Sequence, residues 1–213
     1  ASGTQLGVAA PANGNEVPPG YYMLFLVDSE GVPSVSKMVK IGSAVAPPPP
    51  PPPPPPTDTI GLAAQGSLTD SGNSGRLEGS RVLTGNAGTI VSMSVFVSAV
   101  DSQTANRAFQ LGIYTDAGGR PGTRVANSAT GTLTANSWNT LPVSATLQAN
   151  TAYWLIYSTN GRSSSVNNMY GNIGTSGQGV ASRSTVTFGT MPTTFPSSNL
   201  TAAVYSLYGR FGP

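Results

Sequence analysis

Residues 88–100, GTIVSMSVFVSAV, contain the clearest secondary-structure pattern in the chain. Apolar and polar residues alternate along it, and this period of two is typical of a β-strand with one buried face. The predicted buried face holds Val91, Met93, Val95, Val97 and Ala99, and the opposite face holds Ser92, Ser94 and Ser98. The pattern therefore predicts a strand in a sheet that covers the core on one side and meets solvent on the other.

Further short strands are predicted on both sides of this one. They are residues 76–83, 109–114, 130–133, 138–143, 153–158, 180–188 and 203–211. Turn sequences rich in Gly, Asn and Asp separate them at residues 116–119, 160–161 and 174–179. No segment shows the 3.6-residue period of an amphipathic helix. The prediction is an all-β fold, with an antiparallel, jelly-roll-like β-sandwich over residues 57–213.

Ten consecutive prolines precede the sandwich, at residues 47–56. Proline fixes φ and donates no hydrogen bond, so this run is predicted to form a polyproline II linker of about 3.1 Å per residue, roughly 30 Å in all. The linker divides the chain into residues 1–46, 47–56 and 57–213. A spacer between modules and a docked recognition segment both fit the sequence.

Before the prolines, residues 21–27 (YYMLFLV) predict a strand and residues 28–31 (DSEG) predict a turn. Val35, Met38, Val39 and Ile41 predict a second strand, so the segment is interpreted as a β-hairpin. Both faces of the first strand are apolar, and a strand of this kind normally lies under a second sheet.

The sequence PANGNEVPPGYYMLFLVDSEGVPSVSKMVKI, within residues 8–41, resembles the C-terminal end of the galactose oxidase and glyoxal oxidase family. The stretches PPGYYMLF and GVPSVSK are its specific part. The resemblance implies the last two strands of a partial immunoglobulin-like domain, whose earlier strands are absent here. It also implies a copper site built from histidine and tyrosine, but this chain has no histidine and no cysteine. We therefore expect no copper and no other cofactor.

Residues 111–158 contain LGIYTDAGGRPGTRVANS and, further on, GTLTANSWNTLPVSATLQANTAYWLIYS. In their order of strands and turns they resemble jelly-roll modules appended to bacterial secreted enzymes and surface proteins, a likeness that extends over residues 58–213. The resemblance implies an accessory module.

Charged residues make up 8% of the chain, against about a quarter in typical soluble proteins. Ser, Thr, Asn and Gly take their place, which favours an extracellular or cell-surface protein. The arginines are scattered, and this disfavours nucleic acid as a partner. No run of about eighteen apolar residues exists, so no membrane span is expected. A mature secreted protein and a fragment of a longer oxidase both fit these features.

With no histidine and no cysteine, the usual catalytic triads and zinc sites cannot form. A glycosidase pair of Glu78 with Asp101 or Asp116 is the remaining catalytic option. Most of the acidic residues stand beside turn residues, where a solvated carboxylate is the ordinary expectation. We therefore predict that the protein is not an enzyme.

Trp138 and Tyr170 stand among polar neighbours and are the candidate sugar-stacking aromatics. An aromatic ring covers the apolar face of a pyranose, and nearby amides or guanidinium groups bind its hydroxyls. Asn167, Asn168 and Arg162 are the candidate hydrogen-bonding residues. Alternatively, Trp138 packs at the edge of the core and Tyr170 serves local packing, whereas Trp154 is predicted to be core.

Asp70, Asn73 and Glu78, in the loop TDSGNSGRLEG at residues 69–79, are candidate ligands of a structural calcium ion. Calcium prefers oxygen ligands of these types. The loop lacks the spacing of an EF-hand, and a plain polar loop is the alternative.

The hairpin is also a candidate assembly element. Apolar faces and open strand edges recruit strands from other chains, and head-to-tail donation propagates into a filament. The candidate residues are Tyr21, Tyr22, Met23, Leu24, Phe25, Leu26, Val27, Val35, Val39 and Ile41. Two functions thus remain open. The first is a glycan-binding or adhesive module, tethered to an oxidase-like segment; the second is a structural subunit that assembles with copies of itself into a filament or tube.

Overall fold

The computed structural model describes residues 17–18, 20–42, 58–71 and 75–213. The predicted polyproline linker at residues 47–56 and the candidate calcium ligand Asn73 lie outside the described residues. The chain divides into two compact units, Ala1–Pro53 and Pro54–Pro213.

The first unit contains the predicted hairpin. Strands β1 (Gly20–Leu24) and β2 (Lys37–Ile41) pair antiparallel, with Tyr22 opposite Val39. The turn between them is held by the Asp28 carboxylate, which accepts hydrogen bonds from two backbone N–H groups at residues 30 and 32, at 3.0 and 2.9 Å. Gly31 has φ of +84°, a conformation in which a side chain would be strained.

The second unit is built of short strands, and every pairing between them is antiparallel. The strands are β3 (Thr59–Gly61), β4 (Leu68–Thr69), β5 (Leu77–Leu83), β6 (Gly88–Val97), β7 (Ala108–Asp116), β8 (Pro121–Asn127), β9 (Gly131–Thr132), β10 (Ser137–Leu147), β11 (Ala152–Thr159), β12 (Tyr170–Ile173), β13 (Gly179–Ser182), β14 (Ser198–Thr201), β15 (Ala203–Tyr205) and β16 (Leu207–Phe211). The helical content of the described residues is one short 3₁₀ turn, Thr104–Asn106. The prediction of an all-β sandwich is confirmed.

The strands form three sheets. One has the order β10-β6-β16-β3, and a larger one has the order β14-β13-β5-β11-β7-β8, with β9 also paired to β7. A small sheet has the order β15-β12-β4. The core lies between the first two, where side chains of β6 such as Val95 join Leu111 of β7 and Leu155 of β11 in one buried cluster. Neighbours in the order β10-β6-β16 are far apart in sequence, so their pairing is entirely long-range.

In the second half of β6 the buried face is predicted correctly, but the opposite face is not open to solvent as predicted, because Ser94 and Ser98 are only 2% and 8% exposed. Met93, Val95 and Val97 are fully buried, as predicted, but Val91 is 41% exposed and Ala99 is exposed. The pairing with β16 explains the error at Val91. Consecutive residues of β16 lie opposite Ser92 and Ile90, so Val91 is skipped. This bulge reverses the alternation and turns Ile90 into the core in place of Val91.

The larger sheet is buried on both faces. Its outer face carries Tyr114 and Trp154, which form a second core cluster with Met191 and Phe195. The strand predicted at residues 180–188 ends at Ser182, because the chain leaves the sheet there and crosses back over it. Trp154 is fully buried, which confirms its predicted place in the core.

No helix in the described part of the chain is long and apolar enough to cross a membrane.

Candidate functional site

The outward face of the four-stranded sheet carries a row of aromatic side chains. Strand alternation turns Phe96 of β6 away from the core, between the buried residues Val95 and Val97. Trp138 of β10 lies directly opposite Phe96. Tyr208 of β16 lies opposite Ser94, on the other side of β6. Three neighbouring strands thus present rings or hydroxyls on one surface.

The rings contact one another edge to face. The ring centroids are 5.4 Å apart for Tyr170 and Phe96, 5.3 Å for Phe96 and Trp138, and 5.0 Å for Trp138 and Tyr208. The interplanar angles are 80°, 85° and 72° in the same order. Such pairs contribute about 0.5–1.5 kcal/mol each beyond the area they bury. We call these four residues, Tyr170, Phe96, Trp138 and Tyr208, the aromatic row.

The fold holds both ends of the row in place. Tyr170 begins β12, and a backbone bridge between Met169 and Val97 sets it beside the end of β6. At the other end, Trp138 and Tyr208 meet across β6 above Ser94, which is only 2% exposed. The Ser94 hydroxyl lies 2.8 Å from the hydroxyl of Thr140, so it is satisfied beneath the rings. A small side chain at this position lets the two rings touch.

The rings of the aromatic row are accessible to different degrees. Phe96 is 9% exposed and forms the floor, whereas Trp138, Tyr170 and Tyr208 are partly exposed around it. The two residues chosen from the sequence, Trp138 and Tyr170, therefore occupy one surface, joined through a ring that sequence reasoning missed. Alternation could have found that ring, because Phe96 stands in register with the predicted outward serines.

Hydroxyl groups continue the same face beyond the rings. Pairing places Thr140 beside Ser94, and Arg210 of β16 lies between Ser92 and Thr59. The surface thus has an aromatic end and a polar end, on strands locked together by backbone hydrogen bonds.

The two candidate asparagines lie inside the protein. Asn167 is fully buried and Asn168 is 2% exposed. The Asn167 amide donates to the carbonyl of Asn106 at 2.8 Å and to the hydroxyl of Thr159 at 2.9 Å, and it accepts from the backbone N–H of Asp101 at 3.0 Å. Both side chains therefore organise a loop and do not face solvent. Sequence reasoning misplaced them as surface hydrogen-bonding groups.

Arg162 is exposed in the same region, close to Asp101. A hydrogen bond from the backbone N–H of Gln103 holds the pKa of the Asp101 carboxyl below its usual value, and Asn106 and Arg162 add to this effect. The structure brings Arg162 to the loop of the buried asparagines rather than into the aromatic row.

The candidate calcium ligands Asp70 and Glu78 meet around one hydroxyl. Tyr205 lies with its hydroxyl oxygen 3.5 Å from a carboxylate oxygen of Glu78. Burial raises the pKa of the Tyr205 hydroxyl, and the negative charges of Glu78 and Asp70 raise it further. Within the described ranges no group of three acidic, histidine or cysteine side chains converges. A calcium ion at this place therefore stays a prediction. The copper that the oxidase resemblance implies does not fit this chain, because copper prefers imidazole or thiolate ligands and the chain has neither histidine nor cysteine.

The acids proposed for a glycosidase pair occupy separate environments. Asp116 accepts hydrogen bonds from Arg81 at 2.8 and 3.2 Å and from the indole N–H of Trp154 at 2.8 Å. Glu78 is buried beside Tyr205. Asp101 lies in the loop of the buried asparagines. Each carboxylate serves a local structural contact.

The hairpin presents one exposed apolar face. Tyr21, Met23 and Met38 are 71%, 64% and 62% exposed. The ammonium of Lys40 lies 5.8 Å from the Tyr21 ring centroid, within reach of a cation–π contact. Of the other candidate assembly residues, Phe25, Leu26, Val27 and Val35 are exposed, and Tyr22, Leu24, Val39 and Ile41 are partly buried.

The hairpin lies within a stretch that is similar to immunoglobulin-like Early set domains. Residues 1–41 match the family described as Galactose oxidase-like, Early set domain. The resemblance noted for residues 8–41 is thereby confirmed. No curated protein and no solved structure matches the chain.

Proposed function

We propose that residues 58–213 form a non-catalytic extracellular module that binds glycans through the aromatic row. In this proposal the proline linker tethers the module to the galactose oxidase-like segment and places it on a polysaccharide or cell surface. The observation that carries the proposal is the row itself, with three partly exposed rings around one buried ring, on strands of two sheets that are held by backbone pairing.

The chemistry of the surface suits a sugar chain. The apolar C–H faces of a pyranose stack on aromatic rings, while its hydroxyls need polar partners nearby. The row offers the rings, and the hydroxyls of residues such as Thr140 offer the partners. Because the strands are fixed by backbone pairing, little side-chain and backbone freedom is lost on binding, which favours affinity.

Three observations support a role without catalysis and outside the cell. The chain has no histidine and no cysteine. The carboxylates of Glu78, Asp101 and Asp116 are each used in separate local contacts. The charged fraction of 8% lies well below the average of about a quarter in soluble proteins, and we take this composition as a sign of an extracellular protein.

The test compares ring deletions with a matched control. Trp138→Ala and Tyr208→Ala are expected to weaken binding to an array of polysaccharides at least about tenfold, or 1.4 kcal/mol. Tyr21→Ala removes an exposed ring outside the row and is expected to leave binding unchanged. Circular dichroism would verify folding. Binding by both row variants at the wild-type level would refute the proposal.

A second candidate function is assembly through the hairpin, favoured by the exposed face of Tyr21, Met23 and Met38. In this reading the protein is a structural subunit of a filament or tube. Light scattering and negative-stain microscopy of the full chain are expected to show large oligomers. Met23→Glu should abolish them, whereas Leu83→Glu, at an exposed site in the sandwich, should not. A monomeric wild-type chain would exclude assembly.

A further inference from the structure

Resting on the proposed glycan function, we infer that the bound glycan is acidic. Its stacked sugar lies on the aromatic row, and the carboxylate of a neighbouring sugar binds Arg210. The inference names a substrate class and a specificity-determining residue for the same surface.

The position of Arg210 is set by the strand. Tyr208 and Arg210 are separated by one residue along β16, so both point to the outward face, about 7 Å apart at the backbone. Pairing places Arg210 opposite Ser92 on one side and Thr59 on the other. The Arg210 guanidinium therefore lies next to the Tyr208 ring, with Ser92 on one neighbouring strand and Thr59 on the other.

The charge environment distinguishes Arg210 from the other arginines of the module. Six of them donate hydrogen bonds to protein oxygens: Arg76, Arg81, Arg107, Arg120, Arg124 and Arg183. Arg162 lies beside Asp101. Arg210 is exposed. Among the described residues the salt bridge joins Arg81 to Asp116, and Arg210 takes part in none.

The surface around Arg210 is otherwise neutral. The outward positions of its sheet, in the part the structure describes, are aromatic rings, hydroxyls, a proline, a glycine and the exposed Val91, none of them charged apart from Arg210. The acidic residue next to β3 is Asp58, which is exposed before the strand begins and does not lie within 4 Å of the Arg210 guanidinium. A single unpaired cation on a neutral stacking surface is complementary to a singly charged sugar. The planar guanidinium binds a carboxylate through two parallel hydrogen bonds.

The experiment uses one oligomer in three forms. The probes are a linear oligouronate of five sugars, the same oligomer with its carboxyl groups reduced to alcohols, and a sulfated neutral oligomer of equal length. Binding to the full chain is measured by calorimetry at low and high salt. The acidic oligomer should bind at least tenfold more tightly than the reduced one, with a difference that shrinks at high salt.

Variants assign the preference to one residue. Arg210→Gln should bind the acidic and reduced oligomers alike, and Arg210→Lys should keep only part of the preference, because an ammonium lacks the planar fork. Arg183→Gln, an equal loss of charge just after β13, should behave as wild type. Equal binding of the acidic and reduced oligomers by wild type, or an unchanged preference in Arg210→Gln, would overturn the inference.

The remaining outcomes separate this inference from the proposed function. Tighter binding of the sulfated oligomer than of the carboxylated one would overturn the assignment to a carboxylate. If the reduced oligomer binds as well as the acidic one and Trp138→Ala abolishes both, the glycan function stands and the acidic specificity falls. If none of the three oligomers binds wild type, both are refuted.

Discussion

Asp116→Ala removes the acceptor that joins three parts of the larger sheet. The carboxylate receives hydrogen bonds from Arg81 of β5, from the indole of Trp154 in β11, and from the backbone N–H of Gly119 at 3.0 Å. The Asp116 side chain is 14% exposed and that of Arg81 is 42% exposed. The ion pair is therefore partly screened by solvent, whereas the indole N–H is buried with its ring.

The expected loss of stability follows from these exposures. The screened ion pair contributes about 0–1 kcal/mol. A buried donor left without its acceptor costs about 1–3 kcal/mol. Together they predict that Asp116→Ala lowers the free energy of unfolding by about 1–4 kcal/mol. Asp116→Asn keeps one acceptor oxygen for Trp154, so about half of this loss is expected.

The effect depends on pH in a defined direction. The hydrogen bond from Arg81, with smaller contributions from Gly119 and Trp154, holds the pKa of the Asp116 carboxyl below its usual value. A depressed pKa contributes stability above the unfolded pKa of about 3.9, and this stability is lost as the pH falls through the folded value. The difference between wild type and Asp116→Asn should therefore be full at pH 7 and smaller at pH 3.

Urea unfolding followed by circular dichroism measures the change. With a typical dependence of about 2 kcal/mol per molar urea, the Asp116→Ala midpoint should fall by about 0.5–2 M. Asp58→Ala, at an exposed carboxylate, is the control and should stay within about 0.5 kcal/mol of wild type. An Asp116→Ala midpoint equal to that of the control would refute the reasoning.

Three further predictions concern buried groups. Asn167→Ala should lower the unfolding free energy by about 2–4 kcal/mol, because it removes three hydrogen bonds at a residue with φ of +59°; equal urea midpoints would contradict this. Gly79→Ala should prevent folding, since a Cβ there would overlap the backbone oxygen of Leu155; a native dichroism spectrum would disprove it. Burial raises the pKa of Tyr114 to about 12, so stability should decline as the pH rises above about 10, and Tyr114→Phe should remove an absorbance step near pH 12. A Tyr114→Phe titration identical to wild type would contradict the last prediction.

The sequence alone determined the all-β class and several of the core strands, whereas strands such as β8 and β14 were not predicted. Alternation identified the buried residues Met93, Val95 and Val97, because side chains of a strand point to opposite faces whatever its partners are. The apolar run around Trp154 indicated a core strand for the same reason. The hairpin could be assigned from local turn chemistry, and its likeness to the Early set family rests on contiguous residues.

The positions of bulges and the burial of loop residues could not be predicted from the alternation of apolar and polar residues. The bulge at Val91 depends on how β16 pairs with β6, which no local pattern records. Asn167 and Asn168 are polar residues in a loop, and exposure is the ordinary expectation for them. They are buried because the loop folds over the end of the sheet, where its backbone groups need internal hydrogen-bond partners.

The aromatic row was decided by tertiary structure. Trp138 and Tyr170 could be named from their polar neighbours, but their common surface depends on Phe96 and Tyr208, which come from strands far apart in sequence. The strand order β10-β6-β16 sets which side chains become neighbours, and that order results from the burial of the whole core. Local periodicity tells which way a side chain points, whereas only the packed sheets determine which other side chains it meets.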